Sequence, residues 1–143
     1  MGKRIDNTQS IYYWCHKNKI PVFCPGITDG AIGDALFFQS YKYEDFMMDL
    51  SEDVVSIYDM AAKASGTGAI ILGAGMVKHH IMEVNSIRKG LDYCVLINNG
   101  LVYDGSDSGA EFETEVSQER VQINCKYVKL FAEVTLVFPL IVQ

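Results

Sequence analysis

The sequence predicts a three-layer α/β fold with a mostly parallel sheet. Residues 68 to 72 form a short apolar run rich in β-branched residues, which is typical of a strand buried on both faces. Glycines at 73 and 75 interrupt this run, and helical spacing follows from Met76 to Arg88. Strand and helix patterns alternate along the chain, which favours parallel pairing with right-handed crossovers.

Three helices and one short strand are predicted before this central strand. Helical patterns cover residues 10–18 and 31–41, and a third helix is capped by Ser51. Residues 20–23 have the pattern of a strand that ends at a Cys-Pro-Gly turn. The buried face of the third helix is predicted to consist of Val54, Val55, Tyr58, Ala61 and Ala62.

The elements after the central strand are predicted from similar patterns. The helix that starts at Met76 ends at Lys89-Gly90, because a basic last residue followed by glycine is typical of a helix C-terminus. The remaining elements are a strand at 93–98, an irregular segment at 99–113, a short helix around 113–121, a strand at 128–132 and a helix at 136–142.

Length and composition predict one globular domain spanning residues 1–143. Hydrophobic residues make up 49% of the chain and charged residues 21%, which is ordinary for a soluble protein. No apolar run reaches the ~18 residues that a membrane span needs, and the N-terminus lacks the apolar core of a signal peptide. We therefore expect a cytoplasmic protein. Its net charge of −6 argues against nucleic-acid partners and favours cationic ones.

The cysteines and histidines do not predict a metal site. Cys15, Cys24, Cys94 and Cys125 are scattered without a C-x-x-C pair, which favours reduced, buried thiols. His79 and His80 are adjacent on the predicted helix, so they cannot form the i, i+4 pair that chelates a metal.

The glycine turn at 73–75 has two interpretations. A strand, a glycine turn and a helix in that order present backbone N–H groups to a nucleotide phosphate. Only two of the three expected glycines are present, with Lys78 in the place of the third, so a tight strand-to-helix turn is the alternative. Lys78 itself is suited either to imine chemistry near the helix N-terminus or to simple pairing with an anion.

Several carboxylates are predicted to follow strand ends, where parallel sheets bind ligands. Their convergence would suit a ribose or a cation, and an extended polyamine is the natural cationic candidate. The alternative is ordinary turn chemistry, in which each carboxylate bonds its own backbone. The residues are Asp29, Asp34, Asp104 and Asp107.

Taken together, these motifs resemble the deoxyhypusine synthase family. The resemblance runs from about Ile5 to Val142 without an evident gap. It is carried by seven blocks in the family's order and spacing: Tyr12-Tyr13-Trp14, Ile20-Pro21-Val22-Phe23, Thr28-Asp29-Gly30, Phe37-Phe38, residues 73–80, residues 104–110 and Leu136-Val137-Phe138-Pro139-Leu140.

The resemblance implies a Rossmann-like domain in a tetramer of two tight dimers, with NAD and spermidine at the dimer interface. The family reaction transfers the aminobutyl group of spermidine, through an imine on an enzyme lysine, to one lysine of the hypusine-containing translation factor. By position, the implied NAD contacts are Asp29, Ala74, Asn99, Gly100 and Glu133. The implied spermidine contacts are Asp34, His79, Gly105, Ser106, Asp107, Thr114 and Gln118.

The sequence departs from the family pattern at the reactive position. The family segment usually reads Glu-Ala-Val-Ser-Trp-Gly-Lys, whereas here Thr114 replaces the glutamate, Gln118 the tryptophan and Arg120 the imine-forming lysine. A guanidinium delocalises its lone pairs and cannot form the imine. Ala74 also stands at a usual glycine, and Glu133 at a usual aspartate.

Family members are more than twice as long as this chain, and their N-terminal half supplies further NAD and spermidine contacts. We therefore predict a truncated, catalytically impaired homologue (a pseudoenzyme) that forms homo- or hetero-oligomers with an active paralogue and regulates it. Two alternatives remain open. The first is an active transferase that uses another lysine, Lys78 or Lys126, or direct attack by the substrate lysine. The second is a non-enzymatic polyamine-binding module or fragment.

Overall fold

In the computed structural model, residues 1–143 form two compact units, Met1–Glu44 and Asp45–Gln143. The two units are described separately, and the expectation of a single domain stays a prediction. No helix in either unit combines the length and the apolar character that a membrane crossing requires.

The first unit contains three helices, α1 (Gly2–Ile5), α2 (Ile11–Lys17) and α3 (Ala31–Ser40). The helices predicted at 10–18 and 31–41 are therefore confirmed. The strand predicted at 20–23 is wrong, because these residues have no regular structure and no strand partner. Pro21 lacks a backbone donor for a sheet, and its neighbours Ile20 and Val22 are exposed.

The second unit contains a parallel sheet of β1 (Gly68–Leu72), β2 (Leu91–Asn98) and β3 (Val121–Phe131), in that order. The predicted α/β class is confirmed, with three parallel strands and helices on both sides of the sheet. The other elements are α4 (Ser51–Lys63), α5 (Met76–Ser86), α6 (Phe112–Ser117), α7 (Val134–Ile141) and two 3₁₀ helices, Val102–Asp104 and Asp107–Gly109.

The last strand starts much earlier than predicted. Leu91 pairs with Val121 and Tyr93 pairs with Lys126, so β3 contains a bulge near its start. The predicted strand at 128–132 covers only its last part, and the helix predicted to extend to residue 121 already ends at Ser117. Polar residues interrupt the first half of β3, which hid the strand pattern from the sequence analysis.

One face of the sheet carries the hydrophobic core. Ile71, Cys94 and Leu96 point to this face and pack with Met82 of α5. Phe112 and Val116 of α6 close the same side, with Phe112 tilted against Tyr127 at a ring-centroid distance of 5.2 Å. Burial raises the pKa of the Cys94 thiol to about 12.

The opposite face, called the open face below, is apolar but largely uncovered. Ile70, for example, is 66% exposed. The expectation that residues 68–72 are buried on both faces is therefore wrong, because no helix of the unit covers this part of the sheet. The open face consists of Ile70, Leu72, Tyr93, Val128 and Leu130.

The predicted burial of the cysteines is confirmed for one of the four. Cys94 is buried, whereas Cys15 and Cys125 are half-buried and Cys24 is exposed. Cys24 is exposed because it follows residues 20–23, which do not enter a sheet. All four thiols are free.

The start and the buried face of α4 differ from the prediction. Ser51 is the first helical residue, and Asp49 caps the helix by accepting hydrogen bonds from the Ser51 amide (2.8 Å), the Ser51 hydroxyl (2.5 Å) and the Glu52 amide (3.4 Å). Ile57 and Ala61 are buried, whereas Val54 and Val55 are exposed. The helix therefore buries a narrower stripe than the five residues predicted.

Asp49→Ala is expected to destabilise α4 more than Ser51→Ala does, because the carboxylate accepts from two of the amides in the first turn that have no partner within the helix. The hydrogen bonds from Ser51 lower the pKa of Asp49 below its ordinary value of 3.8, so this stabilisation is present above pH 3.8. It is lost as the pH falls through the lowered pKa. Hydrogen exchange of the α4 amides at neutral and acid pH measures both effects, and equal protection in the two variants would contradict the assignment.

Candidate functional site

The candidate site is a network of charged side chains between α5 and α6. α5 contributes Lys78, His79 and Glu83. His79 and Glu83 are four residues apart, so they lie on one face of the helix. Asp107 comes from the second 3₁₀ helix, and Glu115 belongs to α6. Arg120 lies directly before β3 and completes the network.

A buried ion pair lies at the centre of this network. Lys78 and Glu115 are both fully buried, and the Lys78 Nζ lies 2.5 Å from the Glu115 Oε1. The ammonium also donates to the backbone carbonyl of Asp107. The pair therefore fixes α5, the 3₁₀ helix and α6 to one another. A buried charge needs such partners, because desolvation without them is very costly.

Arg120 forms the outer part of the network and is only 6% exposed. Its Nη1 donates to the Asp107 Oδ1 at 2.5 Å, and its Nη2 donates to the His79 Nδ1 at 2.9 Å. Its Nε lies 3.4 Å from the Glu83 Oε2, and Nη1 lies 3.5 Å from the Glu115 Oε2. Each of the three guanidinium nitrogens thus has a partner within the network.

The backbone fixes the position from which this side chain extends. The Arg120 amide donates to the Glu115 carbonyl at 2.9 Å, and the Arg120 carbonyl accepts from the Leu91 amide at 3.0 Å. The turn between α6 and β3 is therefore tied to β2. Any side chain at position 120 starts from the same point beside Asp107.

The network shifts the proton affinities of its members. Burial alone would raise the pKa of Asp107, but the hydrogen bond from Arg120 and the charges of Lys78 and Arg120 outweigh it and lower the pKa. Burial alone would lower the pKa of Arg120, but the bond to Asp107 raises it. Arg120 therefore stays charged, and its nitrogens act as donors only.

The structure brings three of the predicted site residues together, namely His79, Asp107 and Arg120. Thr114 of α6 and Gln118, the residue directly after α6, are exposed and do not join the network. Gly105 adopts a left-handed φ of 66° before Ser106, whose side chain does not cap the following 3₁₀ helix.

Two further predicted carboxylates, Asp29 and Asp34, lie in the first unit, and their roles stay predictions. The Asp104 carboxylate accepts from the Leu101 amide at 3.0 Å. This bond is the turn chemistry that the sequence analysis left open as the alternative for these aspartates.

The residues implied to contact NAD in the second unit follow the C-terminal ends of the three strands. The turn at 73–75 follows β1, Asn99 and Gly100 follow β2, and Glu133 follows β3. Gly73 and Gly75 have positive φ values, and a Cβ at either position would meet no atom within 4 Å. The space beside this turn is therefore open to a phosphate.

Two of these positions already have structural roles within the chain. A Cβ at Gly100 would lie 3.0 Å from Ser108, so this glycine permits close packing of the loop. The Glu133 carboxylate caps α7 by accepting from the Thr135 and Leu136 amides, and the hydrogen bond from the Thr135 hydroxyl is the main cause of its lowered pKa. Gly100 and Glu133 therefore both stabilise the local fold of the chain itself.

Sequence reasoning missed Glu83 and Glu115 as members of the site. Glu115 lies between Phe112 and Val116, which pack on the core side of α6. Lys78 likewise shares a helix face with the buried Met82. The available signal was one charged residue on the apolar face of each helix, Lys78 on α5 and Glu115 on α6. Charged residues are rarely buried unless they pair with an opposite charge.

Fold and site together define an α/β protein with a parallel sheet. Proteins of this class bind ligands at the edge of the sheet where the strands end at their carboxyl termini, here called the ligand edge. A family model for deoxyhypusine synthase matches residues 1–143. The chain is 49% identical to deoxyhypusine synthase of Candida glabrata over 144 residues and 49% identical to that of Saccharomyces cerevisiae over 143 residues. It is 50% identical to that of Caenorhabditis elegans over 143 residues. The chain belongs to the deoxyhypusine synthase family.

Each of these alignments covers 99% of the chain but only 37% of the two yeast proteins and 38% of the nematode protein. The chain thus spans less than two fifths of the length of the curated relatives it matches.

Glu115→Gln is expected to lower the free energy of unfolding of the second unit by roughly 3–5 kcal/mol, because it leaves the buried Lys78 charge uncompensated. Replacing both partners, as Lys78→Met with Glu115→Leu, should cost less than the sum of the single replacements. Trp14 is the only tryptophan and lies in the first unit, so the measurement is urea-dependent hydrogen exchange of the β2 amides.

Lys63→Met is the matched control for this double-mutant cycle, because it breaks the exposed ion pair with Asp59. It should change the stability very little. Additive effects of the two buried replacements would contradict the central role of the pair.

Proposed function

We propose that this chain is a deoxyhypusine synthase homologue that has lost the transferring lysine and acts as the regulatory partner of a longer, active family member. The family reaction is the NAD-dependent transfer of the aminobutyl group of spermidine to a lysine of the hypusine-containing translation factor. The observation that carries the proposal is Arg120. It stands at the position of the imine-forming lysine and is locked into an ion network.

The chemistry of Arg120 supports the loss of the imine step. An amine must offer a free lone pair to a carbonyl or imine carbon, and the guanidinium of Arg120 has none because its lone pairs are delocalised. Its N–H groups also point at Asp107, His79 and Glu83 rather than at a free space. Position 120 therefore serves to hold the site together.

The other two candidate lysines are poorly placed to take over. Lys78 is fully buried and donates to Glu115 and to the Asp107 carbonyl. Lys126 lies on the opposite face of the sheet, with its Nζ 5.6 Å from the centre of the Tyr93 ring. Neither amine faces the ligand edge, so we favour the impaired homologue over an active transferase.

NAD, when bound in the assembly, would accept a hydride from the polyamine. In the second unit, Ala74, Asn99, Gly100 and Glu133 would face the cofactor, with the backbone of the 73–75 turn next to a phosphate. His79 and Asp107 would face the polyamine. Asp29 is proposed as an NAD contact and Asp34 as a spermidine contact, both in the first unit.

The open face supports assembly with a longer family member. It exposes apolar side chains on all three strands, and such contiguous apolar surface is typical of an interface. In the relatives, the residues that match this chain form part of a chain that is more than twice as long. A partner of that length has the additional residues with which to cover this face, and it would supply the reactive lysine.

Co-expression with deoxyhypusine synthase of Saccharomyces cerevisiae is expected to yield a defined mixed complex in native mass spectrometry. Val128→Lys should abolish the complex, because it places a charge among the apolar side chains of the open face. Val55→Lys is the matched control, since Val55 is an exposed valine of α4, away from this face. Monomer or self-association alone in the wild-type co-expression would contradict the partnership.

Within that complex, Arg120→Lys combined with Gln118→Trp and Thr114→Glu is expected to raise transfer of the aminobutyl group. The three replacements restore the nucleophile and the family residues around it. Trapping with borohydride in the presence of NAD and spermidine should then label residue 120 of the variant. A formed complex without increased transfer would contradict the proposed cause of impairment, as would labelling of Lys78 or Lys126 in the wild-type chain.

A further inference from the structure

We propose that Arg120 is an internal substitute for the substrate ammonium group and closes the polyamine position of this chain. This inference rests on the proposed function, in which His79 and Asp107 face spermidine. It goes beyond the loss of the nucleophile. A mere loss would leave a site that still binds polyamine, whereas an occupied position binds none.

The contacts of Arg120 are those that a bound ammonium group would make. The guanidinium donates to a carboxylate oxygen of Asp107 at 2.5 Å and to the His79 ring at 2.9 Å. It lies 3.4 Å from the Glu83 carboxylate. A polyamine ammonium has three N–H donors and seeks the same set of acceptors.

These acceptors can be reached from solvent although Arg120 cannot. The side chains of Asp107, Glu83 and His79 are 36%, 46% and 52% exposed, whereas the Arg120 side chain is 8% exposed. Arg120 thus approaches the three acceptors from the protein side and a soluble cation would approach from the water side. Both would compete for the same oxygen and nitrogen atoms.

The charge balance of the network favours Arg120 over a soluble cation. The network contains three carboxylates, those of Glu83, Asp107 and Glu115. It contains two side chains with a permanent positive charge, Lys78 and Arg120. Lys78 is held by Glu115 and cannot move to replace Arg120. The second oxygen of Asp107, Oδ2, is buried without a hydrogen bond and lies 3.7 Å from the Lys78 Nζ. Without Arg120, Lys78 would be the one permanent cation among the three carboxylates, and the uncompensated negative charge would attract an added ammonium.

The test is equilibrium binding of spermidine to the full chain by calorimetry. The wild-type chain is expected to show no saturable binding, whereas Arg120→Gln should bind spermidine saturably, with a dissociation constant at least about tenfold below the highest spermidine concentration used on the wild-type chain. That binding should weaken as salt is raised and should disappear when Asp107→Asn is added. Arg88→Gln is the matched control, because it removes the same charge from an ion pair with Asp92 in the same unit.

The proposal can still be tested if Arg120→Gln does not fold on its own. If Arg120→Gln is unfolded alone, spermidine should restore protection of the β2 amides, because a ligand that binds only the folded state stabilises it. Saturable binding by the wild-type chain, an equal gain in Arg88→Gln, or absence of any effect on Arg120→Gln would each overturn the inference. Failure of the proposed function is seen separately, as absence of the mixed complex in native mass spectrometry.

Discussion

The buried pair of Lys78 and Glu115 is the interaction on which the second unit depends. Both side chains are excluded from water, and they lie 2.5 Å apart between two helices that pack apolar side chains on the core. Two hydrophobic residues could fill this space at similar or better stability, so the pair is not needed for stability alone. Its effect is to fix the place of the Asp107 loop, because the Lys78 ammonium also holds the Asp107 carbonyl. The geometry around Arg120 follows from that placement.

The two faces of the sheet differ in how well the chain covers them. Helices α5 and α6 close one face and carry the ion network, whereas Ile70, Tyr93 and Val128 on the other face remain exposed. A parallel sheet is ordinarily covered on both faces, because its strands are apolar on both. The local fold of the candidate site therefore needs only residues of the second unit. The apolar side chains of the other face contribute nothing to that local fold.

Much of the fold was predictable because it follows local patterns. The glycines at 73 and 75 and the apolar spacing around them identified β1 and α5 correctly. The strand predicted at residues 20–23 was wrong, because an apolar pattern does not reveal whether a neighbouring strand is available for pairing. In the site, the sequence motifs pointed to His79, Asp107 and Arg120, which do meet. The partnership of Lys78 with Glu115 could not be predicted, because it joins residues 37 positions apart whose distance is set by tertiary packing.

Position 120 shows which cations this network can hold. The surrounding carboxylates favour a cation there, and both lysine and arginine carry one. Lysine has a single nitrogen that can lose a proton and form an imine. Arginine has several donors, and here they bind Asp107, His79 and Glu83 at once. Under the proposed loss of the transferring lysine, the exchange would keep the charge at this position and remove the reactive lone pair. Selection for assembly alone would tolerate such a replacement, whereas selection for transfer would not.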